Sequence, residues 1–308
     1  MLTKRFGEWF EVTVPRDWEG MTIEEVLKNV WSMPKQMLHQ LRMEKGVKLK
    51  GEARPWNSPL THNDKLQVHL FIEEDFGVVP EYVPDLQILF EDEHLLIANK
   101  PPGMDTHPND EGQLGTLANA VAYHFQVNGV QTKVRHIHRL DQDTTGAVIF
   151  AKDKLASAIL DRRLEKREIK RTYLALVHGV IKQKKGTIDA AIGRDRHHPT
   201  RRRVSPTGQK AITKFKVLQT LANKKMSFVE LELLTGRTHQ IRVHMSHLGH
   251  PLVGDLLYGG QPIVPRQALH AARISLEHPL TNEKIMCEAP FLDIPPIFEN
   301  LSAQFFKA

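Results

Sequence analysis

The chain has 308 residues and a mass of 35.2 kDa, which is more than one average domain and fewer than three. Hydrophobic residues make up 41% of the chain and charged residues 25%, as is usual for a folded soluble protein. The single cysteine, Cys287, excludes an internal disulfide framework and a cysteine-based zinc or iron–sulfur site within one chain. Apolar runs such as Gly146–Ala151 are far shorter than the roughly 18 residues of a membrane helix, and residues 1–12 contain no apolar signal core. We therefore expect a cytoplasmic protein in a reducing compartment, with no membrane partner.

Charge is distributed unevenly along this chain. Lys and Arg outnumber Asp and Glu by 42 to 36. Residues 161–216 alone hold 17 basic and 5 acidic residues, a local net charge of +12, whereas residues 73–98 hold 8 acidic residues and no Lys or Arg. The basic segment is a candidate phosphate-binding surface, because phosphate contacts and counterion release dominate affinity for nucleic acid. The alternative is a basic face that is only solvated.

Residues 1–72 are predicted to form a small separate unit. Apolar residues follow helical spacing between Met21 and Val30, and Thr22 with Glu25 matches a capping box. One further helix and two strands are expected at Lys35–Glu44, Gly46–Lys50 and Lys65–Leu70. Two helices followed by short strands resemble the small RNA-binding domain named after a small-subunit ribosomal protein.

Residues 73–85 have the acidic, proline-bearing composition of a linker. Few packed contacts are expected to cross such a segment, so the parts on either side are expected to fold separately.

Residues 86–308 are predicted to form one larger domain. Its expected strands are Leu95–Ala98, Gly146–Ala151, Tyr173–Val177, Ile212–Val217, Phe228–Leu234 and Ala268–Leu276, and its expected helices are Leu155–Glu168 and Thr238–Leu248. Because the strands do not alternate strictly with helices, we expect an α+β fold with a mixed, mainly antiparallel sheet and packed helices.

A polar segment between two of these strand patterns, His138–Gly146, is a candidate catalytic site. Arg139 and Asp141 are two residues apart, so on an extended chain their side chains would point to the same side. Asp141 could act as a nucleophile or a base, and Arg139 could contact phosphate or enter a duplex. The alternative is a capping aspartate beside a surface arginine.

Two loops are candidate binding sites. Asn99–Pro108 follows a strand end and contains Pro-Pro-Gly, which makes a stiff, shaped loop; the alternative is an ordinary turn. In Leu234–His244, Thr238 can cap the following helix, which places Arg237 beside free backbone N–H groups that favour an anion. That anion could be phosphate or the Asp141 carboxylate, and the alternative is a solvent-facing arginine.

The 17 histidines raise the question of a metal site. None of their clusters has the His-Glu-x-x-His spacing, and the chain lacks the glycine-rich motifs of dinucleotide or nucleoside triphosphate binding. We therefore expect no metal and no small-molecule cofactor.

Five stretches together resemble the RluA-type pseudouridine synthases, which isomerise uridine in large-subunit ribosomal RNA or transfer RNA. They are Asn99–Pro108, His138–Gly146, Lys170–Gly179, Leu234–His244 with Gly249–Asp255, and Leu269–Arg273 with His278–Pro279. They stand in the order of that family and span about residues 86–290. The family's Thr-Ser-Gly reads Thr144-Thr145-Gly146 here, a hydroxyl-for-hydroxyl change. The unit at residues 1–72 is similar to the auxiliary RNA-binding domain that many members carry.

The resemblance implies the pseudouridine synthase fold and assigns four roles. Asp141 matches the catalytic aspartate, and Arg139 matches the arginine that enters the RNA where the target base leaves the stack. Tyr173 matches the tyrosine that packs on the target uracil, and Arg237 matches the basic residue that pairs with the aspartate. The implied partner is ribosomal or transfer RNA, and we expect the protein to be a monomer.

These residue types suit the chemistry of uridine isomerisation. The target base must leave its stack, and an inserted arginine can hold the gap. An ionised carboxylate can form a covalent bond to a base or sugar carbon, and an adjacent arginine favours its charged form. Stacking on an aromatic ring positions a flat base and is worth about 1–3 kcal/mol. Attack on the base, attack on the sugar and removal of a sugar proton all remain open.

The competing hypothesis is a non-catalytic RNA-binding or ribosome-assembly protein. It explains the basic segment and the amino-terminal unit equally well. It does not explain why Asp141, Arg139, Tyr173 and Arg237 all stand at matching positions. A glycoside hydrolase is a third, weaker hypothesis, because no second carboxylate is an evident partner for Asp141.

Overall fold

The structure, a computed structural model, describes residues 2–298 and 301. Its strands form a four-stranded sheet, a ten-stranded sheet and a two-stranded ribbon. Within these residues, no helix has both the length and the apolar character that crossing a membrane requires.

The amino-terminal sheet is antiparallel, with the strand order β1-β2-β4-β3. Its elements are β1 (Thr3–Phe6), β2 (Trp9–Thr13), α1 (Ile23–Glu25), α2 (Lys35–Met43), β3 (Val47–Leu49) and β4 (Lys65–His69). The capping box of Thr22 and Glu25 is confirmed. The predicted helix, however, turns into a five-residue π-helical stretch at Val26–Val30. The wider turn ends where Trp31 N donates to Val26 O, and it places the Trp31 ring in the core of this unit.

The ten-stranded sheet has the order β10-β13-β14-β9-β15-β8-β6-β5, with β16 also paired to β15 and β7 to β8. Its strands are β5 (Gln87–Glu91), β6 (Leu95–Lys100), β7 (Arg135–His136), β8 (Thr145–Ala151), β9 (Lys170–His178), β10 (Lys185–Asp189), β13 (Ile212–Leu221), β14 (Met226–Leu233), β15 (Leu269–Glu277) and β16 (Lys284–Glu288). Among its described pairings only β15 with β8 is parallel. The predicted α+β fold with a mainly antiparallel sheet is confirmed.

Three α-helices share hydrophobic clusters with this sheet: α3 (Leu117–Val127), α4 (Lys154–Glu165) and α5 (Gln240–His247). The separate ribbon consists of β11 (Ile192–Arg194) and β12 (Arg202–Val204). Helix α3 was not predicted, although Thr116 and Asn119 form a capping box at its start.

One glycine makes the parallel pairing possible. Gly146 lies opposite Ala271 with a φ of 115°, and a Cβ there would stand 2.3 Å from the Ala271 carbonyl oxygen. Only glycine tolerates both the backbone angle and this close approach. The loop that carries Asp141 therefore enters the sheet directly beside β15.

Residues 73–85 pack against the larger unit instead of spanning open solvent. The Phe76 ring is 7% exposed in a cluster with Val134 and Phe125. The Glu74 carboxylate accepts from Arg135 and lies 3.0 Å from the Lys154 ammonium. Acidic composition predicted a linker, but two basic residues distant in sequence bind one of its acids, Glu74.

The amino-terminal unit also packs against the larger unit. Its hydrophobic cluster includes Leu155 and Ile159 of α4. The buried His94 ring of the larger unit lies edge-on to Phe10 at 4.9 Å and against Phe71 at 5.4 Å. The expectation that few packed contacts cross this boundary is therefore wrong.

We predict that Phe76→Ala lowers the free energy of unfolding by about 3–5 kcal/mol, the usual cost of truncating a buried phenylalanine. Val79→Ala in the same segment is the control, because Val79 is 49% exposed. Denaturant unfolding of the full chain measures both. Equal stability of the two variants would show that residues 73–85 are a free tether.

Candidate active site

Asp141 lies in the loop between β7 and β8, and two buried cations hold that loop. The Lys100 Nζ donates to the carbonyl oxygens of Pro101, Met104 and Gln142 at 2.7–2.9 Å. From the other side, Arg266 donates to Asp143 O and to Thr145 Oγ1, both at 2.9 Å. The catalytic-site candidate is therefore fixed to the Asn99–Pro108 loop and to the segment before β15.

Lys100 is fully buried. Burial and the nearby Arg266 guanidinium lower the pKa of Lys100 to about 7, and the carboxylates of Asp143, Asp141 and Asp105 act in the opposite direction. Its three carbonyl partners match the three donors of an ammonium group. The Lys-Pro-Pro-Gly motif thus supplies an internal tie as well as a turn.

The Asp141 carboxylate pairs with Arg242 on α5. Arg242 Nη1 lies 3.1 Å from Asp141 Oδ2, while Nε and Nη2 donate to the two oxygens of Asp255 at 2.7 and 2.9 Å. Burial alone lowers the pKa of Arg242, but its hydrogen bonds and charge attraction to Asp255 and Asp141 raise it above its usual value. Arg242 is 8% exposed and Asp255 is 1% exposed, whereas the Asp141 side chain is 25% exposed. The Asp141 carboxylate is therefore held by the Arg242 guanidinium on one side and is open to solvent on the other.

The predicted pairing of Arg237 with Asp141 is not what the structure shows. Arg237 is exposed, and its Nε donates to Lys210 O at 3.1 Å. Helix α5 starts at Gln240, so Arg237 belongs to the preceding loop and Arg242 occupies the buried face of the helix. Sequence spacing did not distinguish the two arginines, and the acidic partner of Arg242, Asp255, stands 13 residues further along the chain.

Thr238 is not the cap of this helix either. The residue before α5 is His239, at a φ of 57° and without a side-chain cap. The buried Gln240 amide closes the loop instead, because its Oε1 accepts from Arg237 N and from Thr235 Oγ1. Thr238 is left free to accept a hydrogen bond from Arg139 Nη2 at 2.9 Å.

All four predicted residues line one cleft of about 660 Å³. Arg139 and Arg237 are exposed in it, and the Tyr173 ring, 3% exposed, lies on β9. Burial raises the pKa of Tyr173, so its hydroxyl stays protonated at neutral pH. The cleft thus combines a carboxylate, an aromatic ring and several cations, a set suited to a flat base joined to a phosphate backbone.

A second cavity of about 460 Å³ shares Arg139, Asp141 and Arg242 with the first. The Asn99–Pro108 loop contributes His107 to it, and the His107 ring stacks on His136 at 4.3 Å. Burial lowers the pKa of His136 to about 4, which keeps it neutral at physiological pH. Across the described residues, no three His, Cys, Asp or Glu side chains are grouped to hold a metal ion.

Two family models match the chain. The RNA pseudouridylate synthase model covers residues 94–247, and a model of the RluD ribosomal pseudouridine synthase N-terminal domain covers residues 10–66. The first match contains Asp141, Arg139, Tyr173 and Arg242. The resemblance drawn from the sequence motifs is confirmed.

Relatives of known name point the same way. The chain is 50% identical to the uncharacterized RNA pseudouridine synthase YhcT of Bacillus subtilis, over 98% of this chain and 99% of that protein. It is 42% identical to ribosomal large subunit pseudouridine synthase D of Pseudomonas aeruginosa, over 67% and 68%. Among solved structures it resembles human RNA pseudouridylate synthase domain containing 1, with a TM-score of 0.56 and 31% identity over 69% and 86%.

We predict that Arg242→Met destabilises the protein by about 3–5 kcal/mol, because it leaves the buried Asp255 without its partner. Arg237→Met should change stability by less than about 0.5 kcal/mol, as is usual at exposed positions. Denaturant unfolding of the two variants measures both effects. A larger loss of stability in Arg237→Met than in Arg242→Met would support the pairing of Arg237, and not Arg242, with Asp141.

We also predict that Lys100→Met lowers the free energy of unfolding by at least about 2 kcal/mol, since three carbonyl groups lose their shared donor inside the protein. Lys4→Met is the matched control, because Lys4 lies exposed on an edge strand. Thermal unfolding measures both. Unchanged stability of Lys100→Met would mean that the loop is held without this tie.

Proposed function

The chain belongs to the RNA pseudouridylate synthase family and isomerises uridine in RNA to pseudouridine, and we propose that large-subunit ribosomal RNA is its substrate and Asp141 its catalytic residue. The observation that carries the proposal is the single cleft in which the Asp141 carboxylate, held by Arg242, shares the walls with Tyr173 and Arg139. The relatives named ribosomal large subunit pseudouridine synthase D support the choice of RNA.

The proposed reaction moves one bond and one proton. The bond from ribose C1′ to uracil N1 breaks, the uracil turns, and a bond from C1′ to C5 forms. The proton leaves C5 and N1 becomes protonated. The fixed Asp141 carboxylate acts by attack on a carbon atom or by removal of a sugar proton, and Arg242 keeps it oriented toward the cleft.

Arg139 is proposed to fill the gap that the target base leaves. Its exposed side chain is held by one hydrogen bond to Thr238, whose net worth is about 0.5–1.5 kcal/mol. Release of the guanidinium into an RNA helix therefore costs little compared with unstacking a base. The extracted uracil is proposed to stack on Tyr173.

Only some of the basic residues in the segment 161–216 are free to contact RNA. Arg163 donates to the carbonyl oxygens of Glu277 and His278, so it is a structural residue. The β11–β12 ribbon, by contrast, carries Arg196 in its connecting loop and Arg203 on β12, both exposed. We propose that this ribbon binds RNA phosphates beside the cleft.

We also propose that the enzyme acts in the cytoplasm, as a monomer and without a cofactor.

We predict that Asp141→Asn abolishes pseudouridine formation and leaves RNA affinity within about twofold, because phosphate contacts supply most of the affinity. The measurement is pseudouridine mapping in total RNA from cells that lack the protein, complemented with the wild type or with Asp141→Asn. We expect the wild type alone to restore specific sites in large-subunit ribosomal RNA. Sites confined to transfer RNA would overturn the proposed substrate, and restoration by Asp141→Asn would overturn the role of Asp141.

We predict that Arg196→Gln and Arg203→Gln each reduce the logarithmic salt slope of RNA binding by about 0.7–0.9, the value for one lost phosphate contact. Lys284→Gln is the control, since Lys284 is an exposed cation at the start of β16. Binding is measured at several salt concentrations. Slopes equal to that of the control would make the ribbon a solvated surface only.

A further inference from the structure

Arg171 is a buried cation of the cleft, and none of the described residues neutralises it. It stands on β9, is 7% exposed and lines the cleft that holds Asp141. Its Nε is buried without a hydrogen-bond partner. Over the described part of the chain, its guanidinium makes neither a hydrogen bond nor an ion pair.

The other buried arginines around the site show what a structural role requires. Arg242 is paired with Asp255, and Arg266 is paired with Asp293 at 2.7 Å through both Nε and Nη2. A buried charge without a partner is costly, so structural arginines are normally compensated. Lack of compensation at Arg171 indicates that its partner is an anion brought by a ligand.

The described side chains around Arg171 supply no negative charge that would occupy the position of a bound anion. Burial and the charge of Arg171 lower the pKa of His138 well below its usual value, so this histidine stays neutral and adds no second positive charge beside Arg171. The two carboxylates that line the cleft are Asp141, which is bound to Arg242, and Glu165, which is exposed. The further cations Lys210 and Arg237 of the lining favour an anion there as well.

The position of Arg171 relative to Tyr173 identifies the class of anion. The two residues are two apart on one strand, so their side chains stand on the same face of the sheet and their Cα atoms are about 6.8 Å apart. Gly236 packs against the guanidinium, and a Cβ there would lie 3.3 Å from Nη1. A nucleotide whose base stacks on Tyr173 can therefore extend its backbone along the strand to Arg171.

We infer that Arg171 binds a backbone phosphate adjoining the target uridine and so positions the nucleotide whose base packs on Tyr173. The inference rests on the proposed function, because it takes the extracted uridine as the occupant of the cleft. A guanidinium suits this task because it can bind two phosphate oxygens at once. Arg171 is then a substrate-binding residue of the cleft floor, whereas Arg139 works at its mouth.

The first test compares Arg171→Met with Arg167→Met, an exposed cation of the same cleft. Arg171→Met is expected to melt at the same temperature as the wild type or higher, since it removes an uncompensated buried charge. It is also expected to weaken binding to ribosomal RNA by about tenfold or more, the effect of losing a charged hydrogen-bond partner. The exposed Arg167→Met is expected to weaken binding by less than about threefold. A lower melting temperature with unchanged RNA affinity would make Arg171 structural and overturn the inference.

The second test removes the charge from the RNA instead of the protein. A short RNA with the mapped uridine carries a neutral methylphosphonate on its 5′ or its 3′ side, and kcat/KM is compared for the wild type, Arg171→Met and Arg171→Lys. At one of the two positions, the loss of kcat/KM that Arg171→Met causes should shrink to less than about threefold, because the phosphate charge it recognises is already absent. On the ordinary RNA, the kcat/KM of Arg171→Lys should lie between those of the wild type and Arg171→Met. An undiminished loss at both positions would overturn phosphate recognition.

The two proposals fail in different ways. A wild-type protein that binds ribosomal RNA but forms no pseudouridine would refute the proposed function, while the affinities of Arg171→Met and Arg167→Met would still decide the role of Arg171. Equal affinity of those two variants would refute the role of Arg171 and leave the proposed function intact.

Discussion

The site depends on one guanidinium group shared by two carboxylates. Asp255 binds Nε and Nη2 of Arg242 through both of its oxygens, so the plane of the guanidinium is fixed and only Nη1 is directed at Asp141. Such a two-pronged contact fixes geometry as well as charge. Because Asp255 is buried and Asp141 is partly exposed, the first carboxylate is structural and the second is free to meet a substrate.

The sheet brings the remaining parts of the site to this pair. Gly146 lets β8 run directly beside β15, and the loop ahead of it presents Asp141 at the mouth of the cleft. Lys100 and Arg266 hold that loop from opposite sides through backbone carbonyl groups. Segments far apart in sequence thus fix a single short loop, as a site that must hold its groups in one productive geometry requires.

Sequence reasoning predicted the fold class, most of the central strands and the residues that meet in the cleft, since hydrophobic periodicity and motif order are local properties. It did not identify Arg242, because Arg237 and Arg242 are alike in type and their roles depend on where α5 begins. That start is set by the buried amide of Gln240, which also binds Ile212 O across the fold. Residues 73–85 were predicted to be a linker for a similar reason. In sequence Glu74 is one more acid of a polar stretch, and its partners Arg135 and Lys154 become evident only in the fold.

The most direct test of the role given to Arg242 is kcat for Asp255→Asn on the mapped RNA. Asp255 lies outside the walls of both cavities, so KM should stay within about twofold of the wild type. We predict that kcat falls by about a hundredfold, because the guanidinium that orients Asp141 loses its fixed position. Melting curves establish the temperature at which both proteins are folded. A wild-type kcat in folded Asp255→Asn would contradict the claim that turnover depends on the Asp255–Arg242 pair holding the Asp141 carboxylate in place.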